Sequence, residues 1–152
     1  MIIAKKKEIN RLKVKQVSDE KVLKQALKLR QEVFVKEQKV PAKLEFDGKD
    51  KEAAQFIAQS TGKIVGTCRL LTNGKVGKIE RMAVIKECRG QGVGSALLTE
   101  VIKVAKKRSL SELIIHAQLQ VKDFYLNHDF EVISDQVFTE AGSKHVKMGM
   151  KL

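Results

Sequence analysis

The order of apolar periods along this 152-residue chain predicts a mixed α+β (α/β) fold, a seven-stranded and mostly antiparallel sheet with helices on both faces. Three observations carry that expectation. Short alternating apolar runs, which mark strands, are interleaved with stretches of helical period. Three of those runs, residues 53–59, 63–71 and 75–84, are separated only by Thr61-Gly62 and Asn73-Gly74, which reads as an antiparallel meander. A glycine-rich run, Arg89-Gly90-Gln91-Gly92-Val93-Gly94, then leads straight into a helical stretch that opens with Ser95.

Each element follows in order. Residues 12–17 alternate apolar and polar, as a strand does, and Ser18 before Asp19-Glu20 suits the cap and first turn of a helix. Val22, Leu23, Ala26, Leu27, Arg30 and Phe34 recur at helical spacing until about Lys39, ahead of Pro41, the only proline. Residues 36–51 read as loop, with a turn at Asp47-Gly48. Beyond the meander, Val93, Ala96, Leu97, Val101 and Val104 form one apolar helical face, ended by Lys106-Lys107-Arg108 at the negative end of the helix dipole. Leu113-Ile114-Ile115 is a short buried strand and residues 118–128 a second short helix. Residues 130–138 and 145–152 are closing strands around a loop at Glu140-Ala141-Gly142-Ser143. Repeats, low-complexity tracts and linkers are absent, so one domain over residues 1–152 is expected.

Composition narrows the class. Hydrophobic residues at 43% and charged residues at 32% are those of a globular domain. Residues 1–7 carry too short an apolar run for a signal peptide and no stretch approaches a membrane span, so a cytoplasmic location without a membrane partner is expected. Cys68 and Cys88 are too few for a disulfide scaffold and lack metal-ligand spacing with His116, His128 and His145; no metal is expected. The net charge of +12 favours polyanionic partners, which admits nucleic acid. The lysines are scattered, however, and no RNA- or DNA-reading motif is present, which argues instead for a solvated basic surface that also favours an anionic cofactor.

The glycine run supplies an anion site. Backbone N–H groups at a helix start lack intrahelical partners and carry the positive end of the dipole, and glycine lets a ligand approach them. A Walker loop is excluded because Ser95-Ala96 follows Gly94 without lysine. A dinucleotide fingerprint fits poorly because Ser95 or Leu97 stands where its last glycine belongs. A plain strand-to-helix connector remains the alternative.

Together, the element order and residues 89–94 resemble the GNAT N-acetyltransferase superfamily across nearly the whole chain. Leu29-Arg30-Gln31-Glu32-Val33-Phe34-Val35-Lys36-Glu37-Gln38, Leu44-Glu45-Phe46-Asp47, Gly66-Thr67-Cys68-Arg69-Leu70, Glu80-Arg81-Met82-Ala83-Val84, His116-Ala117-Gln118 and Phe124-Tyr125 resemble the small bacterial acyltransferases of the ElaA and YjcF type. The resemblance implies an acyl-CoA N-acyltransferase fold and acetyl-CoA as cofactor. Its pyrophosphate would lie on the backbone of Arg89, Gly90, Gln91, Gly92, Val93, Gly94 and Ser95. It also implies that the strand ending Met82-Ala83-Val84 parts from residues 113–115 and lends its backbone to the pantetheine arm.

The implied chemistry joins an acetyl group to a small-molecule or peptide amine. An amine that attacks a thioester must lose a proton, and the departing sulfur gains from a donor. Tyr125 takes the donor role by resemblance, against the alternative of a buried tyrosine with a structural hydroxyl. Asp129-Phe130 stands where the superfamily often has Gly-Phe. Glu80 leads as base, acting directly or through water, unless it is only salt-bridged; His116, Glu140 and His145 follow it. Cys88, ahead of the helix mouth, admits an acyl-cysteine route, with direct transfer preferred. Glu37, Glu45, Asp47, Asp50 and Glu52 lie where the resemblance puts the acceptor, and offer attraction to a cationic amine. A CoA-binding sensor without turnover and a basic nucleic-acid binder are the competing functions, and a homodimer is left open.

Overall fold

Alternation of exposed and half-buried side chains makes Lys13–Gln16 the edge strand β1 in the computed structural model, which describes residues 11–152. The expectation about residues 1–7 therefore lies outside the described residues. Helix α1, Glu20–Arg30, is capped by Asp19, whose carboxylate accepts the Val22 N–H at 2.8 Å. Asp19 and Glu20 thus stand at the cap and in the first turn, where the sequence puts them. The helical period then breaks: Gln31–Glu37 form a π-helical turn, closed by Gln38 N–H on the Val33 carbonyl at 3.0 Å. The loop expected over residues 36–51 contains a further short helix, α2, Ala42–Glu45.

The meander forms as read, with β2 at Ala54–Ser60, β3 at Lys63–Asn73 and β4 at Val76–Val84, all antiparallel. Its second turn is centred one residue later than expected. Asn73 pairs with Val76, and Gly74 alone takes the positive φ, 61°, so Gly74-Lys75 rather than Asn73-Gly74 makes the turn. Helix α3 spans Val93–Lys107, β5 Glu112–Gln118 and α4 Lys122–Leu126. The closing strand expected over residues 130–138 divides into β6, Glu131–Val132, and β7, Phe138–Glu140, because the polar residues between them turn, with Gln136 N–H on Ser134 Oγ. With β8, Ser143–Lys151, the sheet has eight strands rather than seven.

The strand order is β1-β2-β3-β4-β5-β8-β6, with β7 also on β8, and β4–β5 is the one parallel pair among the described residues. The two faces of the sheet are covered differently. On one, α3 packs so closely on β3 that a Cβ at Gly66 would lie 2.7 Å from Val93 Cγ1, and Val93, Leu97, Leu98 and Val101 bury against Phe56, Cys68 and Leu70. On the other, α1 and the π-helical turn set Leu29 and Val33 against Ala83.

The break that matters for a ligand lies at the centre of the sheet. Strand β4 pairs with β5 only over Val76 to Ile79, opposite Glu112 to Ile115, after which β5 pairs with β8 alone. The separation begins beyond Ile115, so residues 113–115 themselves stay paired, a correction to where the strands were expected to part. Just past the last rung β4 also bulges. Arg81, at φ 59°, and Met82 stand together opposite β3 between the Arg69–Glu80 and Thr67–Ala83 pairs.

Candidate functional site

Parting of β4 and β5 opens a cleft of about 520 Å³ between residues 79–84 and 115–118, closed at one end by the start of α3 and at its floor by Tyr125. Gly90 and Gly92 take φ of 74° and 86°, a left-handed backbone that glycine adopts without strain. The first backbone hydrogen bond of α3 runs from Ala96 N–H to the Gly92 carbonyl at 3.0 Å, leaving the amides of residues 90–95 without a protein acceptor among the described residues. Gly94 serves packing: a Cβ there would lie 3.2 Å from Phe124 Cζ. Beside these amides, β4 presents the unpaired edge of Glu80, Arg81, Met82, Ala83 and Val84. An anion at the amides and an extended chain along that edge are what this geometry accommodates, and a diphosphate joined to an amide-bearing arm has both parts.

The Arg89 side chain is already engaged. Its guanidinium forms a bidentate pair with Glu37 at 2.6 and 2.8 Å, and its Nε donates to the Val84 carbonyl at 2.9 Å. The contribution of Arg89 to an anion site is therefore positional, clamping the glycine loop to the π-helical turn. Cys88 is buried on the cleft wall behind it.

Tyr125 is 7% exposed, its ring fixed edge-on by Phe124 and Phe130 at 5.0 and 5.8 Å. Among the described residues its hydroxyl has only the Met82 sulfur for a partner, at 3.9 Å, and burial pushes the phenol well above its ordinary value. It is a neutral donor whose one neighbour is a weak acceptor. The turn after it keeps a glycine-like backbone without glycine, since Asp129 adopts φ 68° and Phe130 N–H returns to the Tyr125 carbonyl at 3.1 Å. Cys68 is fully buried nearby, and burial pushes its thiol far up, so it is inert.

Glu80 follows the last rung of the β4–β5 pair and points to the α1 face, opposite to its buried neighbour Ile79. Two cations bind it closely: Arg69 at 3.0 Å and Lys78 at 3.1 Å. Burial raises its carboxyl, but Lys78 and Arg69 together outweigh burial and hold it below the usual range. It is a charged, poorly basic carboxylate.

Of the five acidic residues expected to attract a cationic amine, Glu37, Glu45, Asp47 and Asp50 are taken up by arginines, and Glu52 stays exposed. Arg30, fully buried, binds Glu45 and Asp50 at 2.6 Å each; Arg69, also fully buried, binds Asp47 and Asp50; Arg81 reaches Glu45 at 3.1 Å and Asp47 at 3.3 Å. Glu37 pairs with Arg89. Arg30 thus sits in the apolar helical stripe because the loop over residues 41–50 wraps carboxylates around it. Sequence spacing gives no sign of this lattice, whose partners are brought together by four separate segments, α1, the loop over residues 41–50, β3 and β4.

The three secondary base candidates do come together. His116 Nδ1 lies 3.1 Å from Glu140 Oε1, and His145 Nε2 lies 3.9 Å from Glu140 Oε2, across the rungs that β8 makes with β5 and β7. His116 lines the cleft. Among the described residues no cluster of histidine, cysteine and acidic side chains could hold a metal ion, and no helix is long and apolar enough to cross a membrane.

The chain is similar to known proteins in sequence and in fold. The model of a family described as an acetyltransferase (GNAT) domain matches residues 13–152. The uncharacterised N-acetyltransferase YjcF of Bacillus subtilis is 38% identical over 130 residues, which is 86% of this chain and 93% of that protein. The crystal structure of Escherichia coli ElaA superposes with a TM-score of 0.82 over 91% of this chain and 99% of its own, at 23% identity. A Bacillus subtilis acetyltransferase solved in complex with CoA shares the fold with a TM-score of 0.72 at 17% identity, over 93% of this chain and 99% of its own.

Proposed function

Because this chain belongs to the GNAT acetyltransferase family and is an acyl-CoA-dependent N-acyltransferase that uses acetyl-CoA, we propose that it moves the acetyl group directly onto a primary amine of a small molecule or peptide, with Tyr125 as the proton donor to the departing sulfur. The observation that carries this reading is the joint position of three features around one cleft. They are the unpartnered amides of residues 90–95, the free edge of β4 at Met82, Ala83 and Val84, and the neutral Tyr125 hydroxyl.

In this reading the amides of Gly90, Gln91, Gly92, Val93, Gly94 and Ser95 face the diphosphate, that of Arg89 being held by the Lys86 carbonyl, and the β4 edge pairs with the amide-bearing arm as a further strand would. The thioester then lies in the gap between β4 and β5. Tyr125 and Met82 pack with the α3-side core, whereas Glu80 lies on the α1 side. Leaving sulfur and entering amine therefore meet the carbonyl from opposite faces of the sheet. Glu80 lines the α1 side of the gap with Arg69 and Lys78 on its carboxylate, which leaves it a weak base rather than a free negative charge. Cys88 takes no part, since the amine reaches the thioester itself. The single domain over residues 1–152 carries the whole site.

Acetyl-CoA-dependent release of free thiol across a panel of spermidine, glucosamine, an aminoacyl amide and a lysine peptide tests the proposal. Turnover with at least one amine is expected. Thermal stabilisation by CoA with no thiol release for any of them would replace the enzyme by a CoA sensor, and binding that collapses steeply with salt would favour nucleic acid.

A further inference from the structure

Ile79 and Ile115 form the last rung between β4 and β5, so the next residue on each strand, Glu80 and His116, flanks the point where the cleft opens. Their neighbours Ile79, Ile115 and Ala117 belong to the core under α3, and strand alternation turns Glu80 and His116 to the other face, the one from which the amine enters. Of the two, Glu80 has its oxygens taken up by Arg69 and Lys78. His116 is differently placed. Its Nδ1 meets the Glu140 carboxylate at 3.1 Å, and an ionised carboxylate only accepts, so Nδ1 carries the hydrogen and Nε2 keeps its lone pair. That Nε2 has no protein partner among the described residues, on a side chain about a quarter exposed that lines the cleft. The Phe138 ring stands edge-on at 5.0 Å and fixes the plane of the imidazole. His145 Nδ1 donates to the Ser143 carbonyl at 2.9 Å, and its Nε2 lies 3.9 Å from Glu140, beyond hydrogen-bonding distance, so Glu140 has His116 as its close partner among the described residues.

We propose that His116, with its tautomer and orientation set by Glu140, takes the proton from the attacking amine. The inference rests on the acyl-transfer reading and adds to it the group that accepts the proton. The neutral amine's lone pair forms the C–N bond to the thioester carbon, and the resulting cationic nitrogen gives its proton to His116 Nε2. The C–S bond breaks with its electron pair on sulfur, and the sulfur takes the proton of Tyr125. Solvent then removes the proton from the imidazolium and returns one to the phenolate, so the products are an amide and the free thiol with the enzyme unchanged. A base held by a carboxylate on one nitrogen and open on the other is the arrangement that general-base catalysis requires.

The test uses thiol release with acetyl-CoA and the amine from the panel that the wild type turns over fastest. His116→Ala is expected to lower kcat by about 100-fold or more, and Glu140→Gln by about 10-fold, with the CoA-induced thermal shift unchanged in both. Added imidazole should restore several-fold activity to His116→Ala and none to Tyr125→Phe. Activity of His116→Ala within about threefold of wild type would overturn the proposal, as would a large loss that imidazole does not rescue while CoA still binds. Should no amine in the panel be turned over, the transfer reading fails on its own. The present inference is then decided by ring-nitrogen NMR of the CoA complex. A hydrogen on Nδ1 of His116, lost in favour of Nε2 in Glu140→Gln, supports it; a hydrogen on Nε2 in the wild type overturns it.

Discussion

Tyr125 and Asp47 show how differently single residues can be set by their surroundings. Burial keeps the Tyr125 phenol protonated, so its chemistry is donation, and Tyr125→Phe removes the donor while preserving the ring that packs on Phe124 and Phe130. Thiol release by that variant should fall by about 100-fold with CoA affinity within about twofold of wild type; undiminished turnover would return the hydroxyl to a structural role. The Arg69 guanidinium beside Asp47, bonded at 2.7 and 3.0 Å, holds its carboxyl well below the usual carboxylate range. An acid depressed in the folded state adds stability that is complete above its unfolded value, about 3.9, and is lost as pH falls below it. The urea midpoint should therefore drop between about pH 4 and pH 2. Asp47→Asn should be less stable at pH 7 and show a shallower drop across that window. Phe124-Tyr125 stood out in the sequence through a resemblance, and the structure adds the burial of the phenol at the floor of the cleft. The duty of Asp47 was not legible, because its partner lies on β3 and nothing local announces the pairing.

Hairpins, the helix after the glycine run and the antiparallel meander follow from local period and turn residues, and these the sequence states openly. Features set by long-range packing were hidden. The π-helical turn continues a good helical period, the bulge at Arg81 places a non-glycine residue at φ 59°, and β6 and β7 separate within what reads as one strand. Arg81 stays in its strained backbone because Glu45, Asp47 and the Leu44 carbonyl bind its guanidinium. Removing fully buried Arg69 from the same lattice leaves carboxylates without their cation, so Arg69→Leu should cost about 3–5 kcal/mol in denaturant unfolding; a loss under about 1 kcal/mol would mean that the lattice adds little. The glycine loop allows a sharper contrast. Gly92→Ala meets no atom within 4 Å but must hold φ 86°, a strain of about 1–2 kcal/mol that should also weaken CoA binding. Calorimetry that finds stability and affinity both unchanged would remove the loop from the cofactor site.

At the scale of the whole molecule, the central fact is a sheet that stops pairing halfway along its middle. The strands that part there bring an anion cradle, a free strand edge, a phenol from one face and an imidazole–carboxylate pair from the other to a single opening. The glycine run and Tyr125 stand out in the sequence because each belongs to one continuous motif. The joining of His116 with Glu140 and His145 needed the register of β8 against β5 and β7, and the consumption of the acidic cluster needed the wrap of residues 41–50 around Arg30 and Arg69. A crystal structure of the protein with acetyl-CoA tests the account most directly. It should place the diphosphate on the amides of residues 90–95 and the thioester sulfur within hydrogen-bonding reach of the Tyr125 hydroxyl, with the acetyl group open to His116 and Glu80. A cofactor lying outside the gap between β4 and β5, or with its sulfur remote from Tyr125, would contradict it.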